Sequence, residues 1–203
     1  MVRANYFRRL NMGSSALQSR TLKDITVFAL LVVVGVVGRL ACLEIPNFQP
    51  TGAVALFAGF YFAQRRIALL APLAVMGISN LWLDAYLSWP QMIVVHAALL
   101  WPVFLGRHLL RQPSSTASPL IRWGICLSAP SLVFFLTTNF GVWLVSGMYP
   151  QTLAGLASCY WLAVPFYGYS LAGDLVFVPM VFGSYQLSRA AGWRGWVPGP
   201  AAR

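Results

Sequence analysis

The stretch Ile25-Thr-Val-Phe-Ala-Leu-Leu-Val-Val-Val-Gly-Val-Val-Gly-Arg-Leu-Ala-Cys-Leu43 decides the fold. Its nineteen residues carry one charge, Arg39, and about twenty apolar residues are what an α-helix needs to cross a bilayer. A basic segment with Arg3, Arg8, Arg9, Arg20 and Lys23 precedes it. Leu40-Ala41 before Cys42 suggest a lipoprotein signal, but Arg39 stands where such a signal needs an apolar residue, and no small-x-small cleavage site closes the run. Residues 25–43 therefore read as a retained membrane helix. Residues 1–24 read as a flexible, basic cytoplasmic tail.

Outward from this helix the pattern repeats. Apolar blocks at about 51–64, 67–83, 91–106, 123–145 and 170–187 are separated by short basic or Pro/Gly-rich stretches. The chain of 203 residues is 59% hydrophobic and 9% charged, against about 25% charged for a soluble domain. The expected fold is all-α: a polytopic bundle of about six transmembrane helices over 25–187, with a C-terminal tail at 188–203. With six spans, the tail, the 65–66 turn, the 107–122 loop and the C-terminus share one side and hold 13 of the 14 Arg and Lys residues. That bias expects a multi-pass protein of the bacterial cytoplasmic (inner) membrane with both termini cytoplasmic. A seventh span at 152–168 would place Arg189, Arg194 and Arg203 outside. That stretch, interrupted by Pro165 and Gly168, is instead expected as a short helix at the outer surface.

Several function classes drop out. The net charge of +10 comes from residues between apolar blocks and not from an interleaved stripe, so nucleic acid is not an expected partner. Cys42, Cys126 and Cys159 show no Cys-x-x-Cys spacing, and no second histidine or thiolate is spaced to join His96, so no disulfide framework or metal site is indicated. No Gly-x-Ser-x-Gly, His-Glu-x-x-His or phosphate-cradling glycine loop is present, and four acids and two histidines leave little for acid–base chemistry. The expectation is a non-enzyme without cofactor. An ATP-driven motor is not encoded, so active transport would need membrane partner subunits.

Five polar residues inside the apolar blocks stand out, because a central charge costs about 2.5–3.5 kcal/mol on insertion scales. They are Arg39, Asn80, His96, Asn139 and Asp174, and on the expected topology all fall in the outer half of the membrane. Arg39 can snorkel to headgroups or pair with Asp174. Asp174 near a helix start gains from the helix dipole. His96 alone reads first as a packed histidine, and Asn80 and Asn139 can bond neighbouring helices. Their shared depth is what suggests one polar cluster opening outward. The second block is short: fourteen residues of helix cover roughly 21 Å of a core about 30 Å thick. The 44–51 loop, with Asn47 and Gln49, is therefore expected to fold inward and line a cavity. Trp82, Tyr86, Trp89, Trp143, Tyr149, Tyr160, Trp161, Tyr167 and Tyr169 gather toward the same side, as an interfacial belt or in part as pocket walls. Ala55, Gly59 and Ala63 recur every four residues and mark a close helix–helix contact, inside the protein or with a partner.

Two stretches carry a family resemblance. They are Pro46-Asn-Phe-Gln-Pro-Thr-Gly-Ala-Val-Ala-Leu-Phe-Ala-Gly59, and Thr138-Asn-Phe-Gly-Val-Trp-Leu144 running on through Met148-Tyr-Pro-Gln-Thr-Leu-Ala-Gly-Leu156, Cys159-Tyr160, Val164-Pro-Phe166 and Gly173-Asp174. The chain resembles, over about 25–187, an uncharacterised bacterial family of six-helix integral membrane proteins. That family is distantly similar to the S components, the substrate-binding subunits of energy-coupling-factor transporters. Where the family usually has an Asp after the serine of the third span, this chain has Asn80. The resemblance implies a compact bundle that binds a small solute near its outer face, using the 44–51 loop, Asn139, Trp143, Tyr149, Tyr160 and Asp174. The expectation is a solute-binding subunit of a transporter with an outward-facing site; the alternative is a structural or accessory membrane subunit.

Overall fold

A computed structural model describes residues 2–83, 88–111 and 118–193, with only the backbone for residues 2–20. The regular structure of the described residues is all helical, with no strand. Six helices follow one another: α1 (Val2–Ala41), α2 (Thr51–Tyr61), α3 (Arg65–Ser79), α4 (Trp89–Leu105), α5 (Pro119–Val145) and α6 (Leu153–Ala190). A π-helical turn, Gly106–Arg111, continues α4. This is the all-α bundle expected from the apolar blocks.

The helix starts follow from sequence. Ser88, Ser118 and Thr152 cap α4, α5 and α6 by accepting hydrogen bonds from the backbone N–H of Gln91, Ile121 and Gly155. Pro90 and Pro119 sit in the first turn, where a missing N–H costs nothing. Four segments are long and apolar enough to cross a membrane: Thr21–Ala41, Trp89–Arg111, Pro119–Val145 and Leu153–Ala190. Large apolar side chains such as Leu30, Val33 and Val37 of α1, Leu132 and Leu136 of α5, and Leu175 and Met180 of α6 point out of the bundle. A sheath of that kind contacts lipid, and the fold is that of a membrane-embedded protein.

The core is built around the shortest helix. All residues of α2 except Phe60 are buried, and α2 touches every other helix. Phe57, Tyr61, Phe182 and Tyr185 stack at its lower half with ring centroids 5.0–5.9 Å apart. Eleven residues span about 16 Å, so both ends of α2 stop inside the bundle. At its C-terminal end, orphan carbonyls find arginines: Arg111 donates to Tyr61 O at 3.0 Å and Arg107 to Ala63 O at 2.9 Å. The π turn places both guanidiniums at one helix end, where the dipole favours cations. Arg65 and Arg66 start α3 at this same end, so it is the basic end of the bundle.

Two expectations are corrected, and one open alternative is decided. Residues 2–24, expected as flexible tail, continue α1 as helix. The surface helix at 152–168 and the last span at 170–187 are one helix, α6, of 38 residues. Pro165 removes the N–H that would bond the Trp161 carbonyl. Packing of the N-terminal half of α6 on α5 outweighs that loss: Tyr160 and Tyr167 rings lie 5.4 and 5.2 Å from Phe135. The Ala55/Gly59 contact is internal. Ala55 and Gly59 are buried, and Gly59 lies directly beneath the Val103 backbone of α4. It offers no surface to a partner. Ala63 is exposed, beyond the end of α2.

Candidate functional site

At the end opposite the arginines, α1 does not connect straight to α2. Residues 42–50 turn back into the bundle and set Pro50 against Gly38 at the start of α2. Asn47 makes the reversal with φ at 62°, a left-handed conformation that asparagine tolerates better than most residues. Phe48 anchors the loop on Phe177 of α6, ring centroids 5.2 Å apart. Gly173 of α6 leaves room for the Gln49 backbone.

Above this loop lies a cavity of about 350 Å³. Its walls come from Arg39, the 42–49 loop, Gln91, Val95 and Leu99 of α4, Phe134, Phe135, Thr138, Asn139 and Val142 of α5, and Phe166, Tyr167 and Ser170 of α6. The lining combines the aromatic residues Phe48, Phe134, Phe135, Phe166 and Tyr167 with residues that carry amide, hydroxyl and guanidinium groups. Next to it is a small, partly open void of about 20 Å³, lined by Asp174, Ser131, Gly52, Asn47 and Gln49 among others. Asn47, Gln49, Leu99, Phe134 and Ser170 border both spaces.

The expected site residues separate into groups. Arg39, Asn47, Gln49 and Asn139 line the cavity. Arg39 donates to Ser79 Oγ at 2.6 Å and to Asn80 Oδ1 at 3.3 Å, so Asn80 supports the arginine from behind the wall. Asn139 spends its amide N–H on Phe135 O, one turn back at 2.8 Å. His96 does not border the cavity; its Nδ1 lies 2.8 Å from Met92 O of its own helix. Tyr160 donates to Leu136 O at 2.6 Å and Trp143 donates to Pro150 O at 3.0 Å. Both hold the α5–α6 hairpin, and neither they nor Tyr149 reach the cavity. Tyr86 of the outer aromatic group lies outside the described residues.

The expected ion pair between Arg39 and Asp174 is not formed. Asp174 takes its hydrogen bond from Ser131 N, at 2.9 Å to Oδ2, and lies against Gly52 at the N-terminus of α2. Helices α1 and α6 are not neighbours; α2 contacts both. Because α6 begins at Leu153, Asp174 is six turns from its start and not one.

Tyr167, one of the aromatics named as possible pocket walls, does line the cavity, which also uses residues that the sequence reading passed over: Gln91, Thr138, Ser170, Phe134, Phe135 and Phe166. A signal for them exists. Gln91, Val95 and Leu99 share one face of α4 at four-residue spacing, Phe134, Thr138 and Val142 one face of α5, and Phe166, Ser170 and Asp174 one face of α6. His96 is one residue off the α4 face, a rotation of about 100°. Among the described residues no three His, Cys, Asp or Glu side chains cluster as a metal site would require.

The profile of a family of unknown function, DUF6580, matches residues 19–194, and the chain belongs to that family. Neither curated proteins nor solved structures gave a match.

Proposed function

We propose that this DUF6580 member binds a small amphipathic solute from the outer face of the bacterial cytoplasmic membrane, as the solute-binding subunit of a transporter, in the manner of S components. The cavity carries the reading. Small-molecule sites run about 300–1,000 Å³, with apolar and aromatic walls and a few placed polar groups, and about 350 Å³ behind a re-entrant loop meets that description. Orientation comes from charge. The basic residues gather at the α2–α3 and α4–α5 ends, which the positive-inside rule makes cytoplasmic, so the cavity end faces out. No energy-coupling motif lies in the chain, and partner subunits would supply it. The sequence motifs of the 46–59 and 138–174 stretches carry the resemblance to the six-helix family, and the likeness of that family to S components is distant and at the level of fold.

One observation favours an accessory, structural role instead: Asn139, His96 and Tyr160 all engage helix carbonyls. Native mass spectrometry of gently purified protein separates the two readings. A solute-binding subunit releases a retained small molecule, less of it in Asn139→Ala, and an unchanged amount in Trp143→Phe, whose ring is outside the cavity. Preparations that carry only lipid, in all three forms, leave the structural role.

A further inference from the structure

We infer that the void beside the cavity binds one small monovalent cation, of the size of Na+, between Asp174 and the amide side chains of the re-entrant loop. Its occupancy would organise the solute cavity next to it. The inference deepens the solute-binding reading, and only this coupling rests on that reading; cation binding is measured with no solute present.

Asp174 is the one buried acid among the described residues, with 5% of its surface exposed. Its Oδ2 accepts the Ser131 N–H. The Ser131 hydroxyl also lies against the carboxylate; Oδ1 packs beside Gly52, 2.8 Å from where a Cβ there would sit, and the carboxylate borders the void. A carboxylate in the apolar core is costly unless its charge is met. The first turn of α2 beside it carries about half a positive charge, so part of the negative charge remains. Arg39 does not meet it, being turned to Ser79 and Asn80.

The space fits one ion. A cavity needs about 10–15 Å³ of probe volume to hold a water molecule, and this void offers about 20 Å³. Asn47, Gln49 and Asp174 are among the residues that border it, and their side chains carry the hard oxygen donors that alkali and alkaline-earth cations take; the Gln49 Oε1 accepts from the Thr51 hydroxyl at 3.4 Å, a contact an ion would share or displace. One carboxylate among neutral amides suits a single charge; Ca2+ gathers six to eight oxygens with more carboxylates. The coupling follows from shared residues. Asn47 and Gln49 face both spaces, so an ion that fixes their side chains fixes the loop walling the solute cavity.

The test uses the full chain in detergent micelles. Thermal unfolding is followed by tryptophan fluorescence in sodium, potassium or N-methylglucamine chloride at equal ionic strength, alongside retention of radioactive 22Na+. Sodium should raise the melting temperature saturably. At ten times its Kd it multiplies the folded-to-unfolded ratio about elevenfold. Asp174→Asn should lose both the shift and the retention, and Trp143→Phe should keep them. If Asp174→Asn does not fold, Gln49→Ala carries the test, with its sodium titration moved to higher concentration. Identical melting in the three salts without 22Na+ retention overturns the site. A pH response that Asp174→Asn abolishes, with no sodium effect, also overturns it, since a proton then meets the charge. A sodium response in protein that carries no solute by mass spectrometry supports the ion site and removes the solute reading.

Discussion

Replacing Gly59 by alanine tests the central helix crossing. A Cβ at position 59 would stand 2.7 Å from the Val103 carbonyl carbon and 2.9 Å from its Cα, and nearer still to its oxygen. The obstacle is backbone, so no side-chain rotation relieves it. Ordinary contact begins at 3.4 Å, so the carbonyl carbon alone requires α2 and α4 to part by about 0.7 Å, and the nearer oxygen requires more. A radial gap of 0.5–1 Å forfeits a quarter to a half of each dispersion well of about 0.1–0.2 kcal/mol. Over roughly forty atom pairs along the crossing, that is about 1.5–3 kcal/mol, in line with measured overpacking costs of about 1–3 kcal/mol. Alanine returns about 1 kcal/mol of helix propensity over glycine. The net expectation is a loss of about 0.5–2 kcal/mol or more, a fall of roughly two- to thirty-fold in the folded-to-unfolded ratio. Gly183→Ala on α6 is the control, because nothing stands within 4 Å of its Cβ position; it should gain up to about 1 kcal/mol. Gly106→Ala meets Leu56 from the other side of the same crossing. Combined with Gly59→Ala it should cost less than the sum, since one separation relieves both. Reversible unfolding in mixed micelles reads these differences. If Gly59→Ala is as stable as Gly183→Ala, the helices are not in backbone contact there and the reasoning fails.

Asn47→Gly should leave the re-entrant loop folded but weaken solute retention, while Asn47→Val should also lose about 1–3 kcal/mol, because a β-branched residue resists φ of 62°; equal stability of the two in thermal unfolding refutes the strain argument. Arg111→Met should destabilise the protein by about 1–3 kcal/mol, since the Tyr61 carbonyl at the end of α2 loses a buried donor; chemical denaturation with an unchanged midpoint would show that water replaces the guanidinium. Reporter fusions after Arg111 and after Arg194 should both behave as cytoplasmic, and an external reporter at either place would reverse the proposed orientation.

The Arg39–Asp174 pair shows where reading by sequence stops. Along each helix the sequence gives depth, because rise per residue is fixed. It does not give azimuth or neighbours: α2 contacts both α1 and α6, which do not meet. Even the position of Asp174 along its helix depends on whether Pro165 ends that helix. Pro165 marks a local loss of one hydrogen bond, and only the α5 surface, through Phe135 against Tyr160 and Tyr167, decides that the helix continues. The small-residue repeat behaved similarly. Its spacing announced a close crossing at Gly59, but the crossing partner was a backbone 44 residues away, and no local pattern identifies Val103.

Composition, the apolar blocks and the placement of arginines by themselves determined a membrane-embedded helical bundle and the inward fold of the 44–51 loop. These are consequences of hydrocarbon thickness and backbone hydrogen bonding, which act on each segment separately. The tertiary structure alone decided that α2 is the enclosed centre, that Asn139, Arg39 and the loop share one cavity while His96, Trp143 and Tyr160 brace helices, and that Asp174 sits over its own void. Those facts depend on which helix faces meet. Meeting faces are chosen by packing among distant segments, a long-range property that periodicity within one helix does not carry.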